Sequence, residues 1–520
     1  MKKNTLLTTI FIISTLVVSA QTDSVFNNII RIGNADNQTM DHLDVLCNRI
    51  GGRLIGSDAY ENAAVWAASK FREWGMQVVF DEVGELPVGF NRGPWFGRMI
   101  GDESMYLHFA TPSYTVGTKG VQRGEVLIEP TTRAQFDKMK NELNGAWVLI
   151  SGESSGWPID YSTKGDHIRD SIINLNQEIM EYNKRVRKEN KENEGKKKYV
   201  IQEEREPVTE PALFYREMVD AGILGIIQSS KVPIRVLYDR KNVHQMTFDS
   251  LPPVPDIKLD EHQYEKIYQM AKERRYFQLE FDIRNYFKMG PITYHNVIGI
   301  IPGTEFPDEY VIMGAHLDAF DVATGGVDDG SGVSPTMEAA RLIMEAGGKP
   351  KRTILVILWA GEEFGLYGST SWVTRYESEL GKVSNMVNRD GGPEVPVALS
   401  VSEAMKADFI PVVDAINRIN PKFPVELKTR EPREKPKRAW GTDSGPFAVK
   451  GVPVIGFDLA DPVGYNFDYR EIWHTERDLY NKSIAEYQEQ AAIATAILVY
   501  GIADLDHLLN REGYWLESDN

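Results

Sequence analysis

Between Tyr310 and Asp390 the apolar and polar positions fall into blocks that predict strand, loop, helix, strand, loop, helix, strand. Tyr310–Ala315 is a short apolar run that breaks into His316-Leu317-Asp318. Thr353–Trp359, β-branched and aromatic, breaks into Gly361-Glu362-Glu363, and the weaker run Val383–Val387 leads to Asp390. Val333, Met337, Ala340 and Met344 recur at helical spacing and predict a helix opening near Ser331. Strands and helices alternating at these lengths predict an α/β fold, a mixed, mostly parallel sheet flanked by helices, whose sites gather at the carboxyl ends of the strands. His316, Asp318, Glu362, Glu363 and Asp390 all fall at or just beyond such ends.

The pattern elsewhere divides the chain. Lys2 and Lys3, an apolar run Leu6–Val18 and the small residues Val18-Ser19-Ala20 predict a signal peptide over 1–20. The run is shorter than the ~20 residues that span a bilayer, so an exported protein is expected, in the periplasm or the medium. Residues 21–116 read as the first part of the main domain. Asp58 and Glu61 suggest a capping box, Tyr60, Ala64, Ala67, Ala68, Phe71 and Trp74 form one apolar face, Met76–Phe80 follows as a strand, and Leu86–Trp95 reads as a loop. From 117 to 289 the composition changes. The runs Gly124–Ile128, Ala146–Ile150 and Ala221–Ile227 predict a small β-rich domain inserted into the larger one, and the charged stretch Glu181–Glu206 reads as a solvated helix with a flexible tip. The main domain resumes over 290–520, with strands at Val395–Val401 and Val452–Phe457, helices at Phe409–Ile419 and Ser483–Leu509, and His474 beyond a strand end.

Composition narrows the partners. A chain of 520 residues fits two or three domains, and 42% hydrophobic with 26% charged residues describes a globular protein. A formal charge of -17 repels polyanions, which sets aside nucleic acid and anionic membrane. The single cysteine, Cys47, permits neither an internal disulfide nor a thiolate metal cage, and reads as a buried structural residue.

The remaining chemistry points to metal. Zinc takes imidazole and carboxylate ligands, and one carboxylate can bridge two ions. His316, Asp328, Glu363, Asp390 and His474 supply five such ligands, Glu362 is left over as a base, and Asp318 lies where it could orient the His316 ring. The ordered segments GAHLDAF, GGVDDGSG, WAGEEFGLYGS, NRDGG, GTDSGPF and IWHTERD resemble the M28 family of zinc metallopeptidases, the group that includes the plasma glutamate carboxypeptidase-like enzymes. The inserted region is similar to the protease-associated domain that several members carry. The resemblance implies a zinc-exopeptidase fold holding two Zn2+ ions, with His316 and Asp390 on one, Glu363 and His474 on the other, and Asp328 bridging. It also implies Glu362 as general base, Asp318 as partner of His316, and a cis peptide between Asp328 and Asp329. Asp443-Ser444 departs from the Asp-His of many members and bears on substrate contacts. The implied activity is an exopeptidase, aminopeptidase or dipeptidase, acting on peptides or dipeptides. Two other readings share the fold: a glutaminyl cyclase with one zinc, and a non-catalytic binding domain, against which the complete ligand set argues.

Overall fold

Five strands form the sheet that carries the strand-end loops: β1 (Gln77–Asn91), β2 (Tyr286–Ile301), β3 (Phe306–His316), β4 (Arg352–Trp359) and β5 (Val383–Asn388). The computed structural model describes residues 22–101, 103–196 and 198–516, and the expected signal segment lies outside them. The sheet order is β1-β2-β4-β3-β5. β4 runs antiparallel to β2 and parallel to β3, which in turn runs parallel to β5. The mixed α/β fold expected from the sequence is the one observed. Every residue of β4 is buried, the continuous burial of a strand covered on both faces. β1 extends to Asn91, through part of the stretch where a loop was expected.

Helices flank this sheet. In α1 (Asp58–Glu73) the cap is Ser57, one residue before the expected Asp58, with the Tyr60 N–H donating to Ser57 Oγ at 3.0 Å. α2 (Gly330–Glu345) follows β3, and α3 (Tyr367–Arg375) follows β4. A second, three-stranded sheet is made of β6 (Val395–Val401), β7 (Glu426–Thr429) and β8 (Phe457–Ala460), in the order β7-β6-β8. α4 (Lys406–Ile416) and the closing helix α6 (Ala485–Ala503) pack on this sheet, and α5 (Ser444–Val449) packs on α3 and β5. α6 packs on α2 and is buried along nearly its whole length, so it shows no one-sided apolar stripe. It ends at Ala503, short of the expected Leu509. No helix among the described residues is long and apolar enough to cross a membrane. Cys47 is buried, and desolvation pushes its thiol up to about 11.

The expected strand Val452–Phe457 is corrected: only Phe457 joins a strand, β8. Ile455 lies beside β5, but a side chain fills its backbone bonds. Asn385 Oδ1 accepts from the Ile455 N–H, and Asn385 Nδ2 donates to the Ile455 carbonyl, both at 2.9 Å. The run is apolar because it is buried, and it needs no strand partner because Asn385 acts as one.

The chain divides into two compact units, one comprising the described residues to Leu86 and from Pro291 on, the other Pro87–Gly290. The second unit takes in 87–116, which the composition alone had placed with the main domain, because Trp95–Gly101 pairs antiparallel with Phe277–Ile283. It holds that four-stranded sheet, a five-stranded sheet of mainly parallel strands, and a helix, Thr163–Glu192. The charged stretch expected as a helix with a flexible tip is helical only to Glu192. The chain then returns extended along that helix, held by asparagines seven residues apart. Asn176, Asn183 and Asn190 each donate to a backbone carbonyl, of Val208, Arg205 and Gln202, at 2.9, 2.8 and 2.9 Å. Each also accepts the N–H of the same residue, at 2.8, 2.8 and 3.0 Å.

One buried amide fixes where β4 hands over to its loop. Asn296 of β2 accepts the Ala360 N–H at 3.0 Å and donates to the Gly368 carbonyl at 3.2 Å and to Asp81 Oδ2 at 3.0 Å. Asn296→Ala leaves the buried Ala360 N–H unpaired, and should cost about 1–3 kcal/mol in denaturant unfolding. An unchanged midpoint would show that water or a shifted neighbour replaces the amide.

Candidate metal centre

Pairing register brings the loops to one edge. His316 stands opposite Trp359, and Gly314 opposite Asn388, so the segments after β3, β4 and β5 leave the sheet together. The His316 ring is buried, with Nδ1 2.9 Å from the Asp318 carbonyl oxygen. Its Nε2 then faces Asp328 Oδ1 at 3.2 Å and Asp390 Oδ1 at 3.9 Å. On the other side His474 Nε2 lies 3.3 Å from Asp328 Oδ2 and 3.0 Å from Glu363 Oε2. The two oxygens of Asp328 therefore face one imidazole each. The Asp328–Asp329 peptide is cis. His474 adopts a left-handed backbone, φ 59°, with its ring beside those of Phe320 and Trp473, centroids 4.4 and 4.3 Å away. All the residues singled out from the sequence thus come together: His316, Asp318, Asp328, Glu362, Glu363, Asp390 and His474.

Asp318 touches His316 mainly through its main chain. Its carboxylate is 3.9 Å from the ring and is occupied elsewhere. Oδ1 accepts the N–H groups of Gly361 and Glu362 at 2.9 and 3.2 Å, and Oδ2 that of Glu363 at 3.2 Å. The carboxylate thereby pins the loop that carries both glutamates. Asp478 does the same for the bridging aspartate, accepting the Val327 N–H at 2.6 Å and the Asp328 N–H at 3.3 Å. Arg53, fully buried, donates to the carbonyls of Leu317, Thr324 and Gly325 at 2.6, 3.0 and 3.3 Å. Asp478 and Arg53 escaped the sequence reading. Asp478 closes the IWHTERD segment, and that position was its signal, whereas Arg53 offered none. Tyr469 was also missed; burial and the charges of Asp328, Asp390, Asp329 and Glu363 push its hydroxyl far above the usual range.

The electrostatics describe a centre short of positive charge. Desolvation, aided by neighbouring carboxylates, pushes Glu362 up to about 11, Glu363 to about 7 and Asp443 to about 7, and raises Asp390. Against desolvation, Asp328 is held below the usual range by His316 and His474. Burial opposes charge on the imidazoles too, yet carboxylates raise His316 well above its ordinary value and His474 to about 9. Asp329 Oδ1 and Glu363 Oε1 are buried without a hydrogen-bond donor among the described residues. Ligand atoms of His316, Asp328 and Glu363, and of His316, Asp329 and Asp390, lie within 4.8 Å of one another. A mixed imidazole and carboxylate set with bare acceptors fits a divalent metal of the zinc type.

Residues 296–499 match the model of peptidase family M28. The chain carries an M28 peptidase domain. The M28 resemblance read from its segments is borne out. Mouse Carboxypeptidase Q is 24% identical over 491 residues, covering 93% of this chain and 89% of that protein. The crystal structure of a peptidase M28 precursor from Shewanella amazonensis SB2B superposes with TM-score 0.57 at 20% identity, covering 94% of this chain and 98% of that one. BSAP, a zinc aminopeptidase from Bacillus subtilis, gives 0.51 at 15% identity, covering 92% and 98%. Both share the fold.

The Asp318 contacts set a test of the M28 loop. In Asp318→Asn one acceptor oxygen becomes a donor facing the Glu363 N–H, so unfolding should show a loss of about 1–3 kcal/mol. Retained stability would mean that the loop holds itself without this carboxylate.

Proposed function

We propose that the chain is a dizinc exopeptidase cleaving the peptide bond next to a free N-terminus, as an aminopeptidase or dipeptidase. The Asp328 carboxylate carries the proposal, with Oδ1 3.2 Å from His316 Nε2 and Oδ2 3.3 Å from His474 Nε2. On this reading His316 and Asp390 hold one zinc, Glu363 and His474 the other, and Asp328 serves both. The name of BSAP, a zinc aminopeptidase sharing the fold, supports the choice of metal.

Bound zinc supplies Lewis acidity, polarising a carbonyl and making water more acidic. His316 and His474 must give up their ring protons to act as ligands, so metal loading releases protons. Asp318 and Asp478 keep the loop glutamates and Asp328 in place while this happens. Glu362, whose carboxyl needs nearby positive charge to ionise, takes the proton of the attacking water as the carbon–oxygen bond forms. It returns that proton to the leaving nitrogen as the carbon–nitrogen bond breaks. The surplus of carboxylate oxygens favours a substrate that brings a free α-amino group.

The test compares Glu362→Gln with Glu363→Gln for metal content and for turnover on aminoacyl-naphthylamides, dipeptides and N-terminal glutaminyl peptides. The parent should carry two zinc ions. Glu362→Gln should keep them and lose ~10²–10⁴-fold in turnover. Glu363→Gln should lose metal, with activity partly restored by added zinc. Zinc loss in the first and retention in the second would reverse the roles. Cyclisation of glutaminyl peptides by a one-zinc protein would replace the hydrolase reading.

Export belongs to the same proposal, on the strength of Lys2, Lys3, the run Leu6–Val18 and Val18-Ser19-Ala20. N-terminal sequencing of secreted protein should start at Gln21, and a start at Met1 would overturn it.

A further inference from the structure

The unit Pro87–Gly290 carries an arm. In its helix Thr163–Glu192, Ile172 and Ile173 pack against a core cluster that includes Phe214 and Met218. Beyond them Ile179, Asn183 and Val186 are buried, and they fall at helical spacing with Asn176 and Asn190 on the one face that the return leg covers. Apart from half-buried Tyr182, the other side chains of those turns are exposed. From Ile173 to Glu192 the helix rises about 28 Å, and that length is clothed on one side alone.

The end of this arm reverses the charge of the chain. From Lys184 to Glu204, past the middle asparagine clamp, eight cations stand against five anions, in a protein of formal charge -17. Three of the anions are engaged. Glu189 accepts from Gln202 Nε2 at 3.1 Å, Glu192 lies 3.8 Å from Lys188, and Glu204 lies 3.7 Å from Arg187. Lys184, Arg185, Lys191 and Lys198 form no ion pair among the described residues, and Lys196 donates to the Asn193 amide oxygen at 2.8 Å.

An apolar pair follows the lysines. Val200 and Ile201 are 82% and 75% exposed, more than any other large aliphatic side chain among the described residues. Asn190 holds the backbone of the next residue, Gln202, through both its carbonyl and its N–H. Two bare aliphatic side chains are therefore held in a fixed place beside a cluster of unneutralised cations.

We propose that this tip docks on the surface of an anionic lipid bilayer. Cations near an anionic headgroup plane are each attracted to it, and aliphatic groups gain by entering the boundary between headgroups and acyl chains. A nucleic acid would pair with the cations and stack on aromatic rings, but it offers nothing to Val200 and Ile201. The net charge of the chain does not forbid the contact. Fields between exposed charges are screened within about 8 Å at physiological ionic strength, and the arm is several times that long. It lets a positive end reach a surface that the chain as a whole would repel.

Vesicle co-sedimentation tests the proposal with the chain from Gln21, so that the apolar run Leu6–Val18 takes no part. Phosphatidylcholine vesicles containing about one-third phosphatidylglycerol should bind it about tenfold more tightly than phosphatidylcholine alone, and less tightly as salt rises. Two double variants at exposed positions, Val200→Ser with Ile201→Ser and Lys196→Glu with Lys198→Glu, should each weaken that binding about tenfold. The denaturant midpoint of both should stay at that of the parent. Equal binding to the two kinds of vesicle, binding to neither, or binding that survives both double variants overturns the proposal. Salt-sensitive retention on heparin without vesicle binding overturns it too, and gives the tip to a soluble polyanion.

Discussion

Negative charge gathered at one edge of a sheet is the constraint around which this molecule is built. Asp328, Asp329 and Asp443 are buried, Glu362, Glu363 and Asp390 crowd beside them, and two imidazoles supply the adjacent positive charge. Ions withdrawn from water and left without partners are costly, so such a group persists only if something positive occupies it and the framework cannot relax away. The framework meets the second condition through backbone contacts. Asp318, Asp478 and Arg53 bind main-chain N–H and carbonyl groups of the very loops that carry the cluster. These three residues hold still what electrostatic repulsion would spread apart.

Which parts of this were legible in the sequence follows from the kind of interaction involved. Helix α2 was readable because its apolar residues repeat, and β4 because an unbroken apolar run signals a strand covered on both faces. The cluster residues were readable as strand-end polar groups inside ordered segments. Val452–Phe457 misled because burial and strand pairing look alike in composition, and an asparagine 70 residues away supplied hydrogen bonds to Ile455. Arg53 was invisible for a related reason. Its partners are carbonyl oxygens, which every residue possesses, so no side-chain pattern announces them. The return leg after Glu192 was hidden too, since polarity there reflects exposure while its order comes from Asn176, Asn183 and Asn190.

Those asparagines have a geometric consequence. Seven residues of helix advance about 10.5 Å, and three residues of extended chain advance about 9–10 Å, so the two backbones form matching rulers. Every tick on the helix grips peptide groups, so a strap displaced by three residues toward its start would meet the same clamps, whereas the opposite shift would bring Pro211, which has no N–H, to Asn176. Register must come from side chains, and two are placed to set it. Arg205 lies 4.1 Å over the Tyr182 ring, and the Tyr199 hydroxyl donates to Asn190 Oδ1 at 2.9 Å. The clamps make the return leg straight, and two aromatic contacts make it unique.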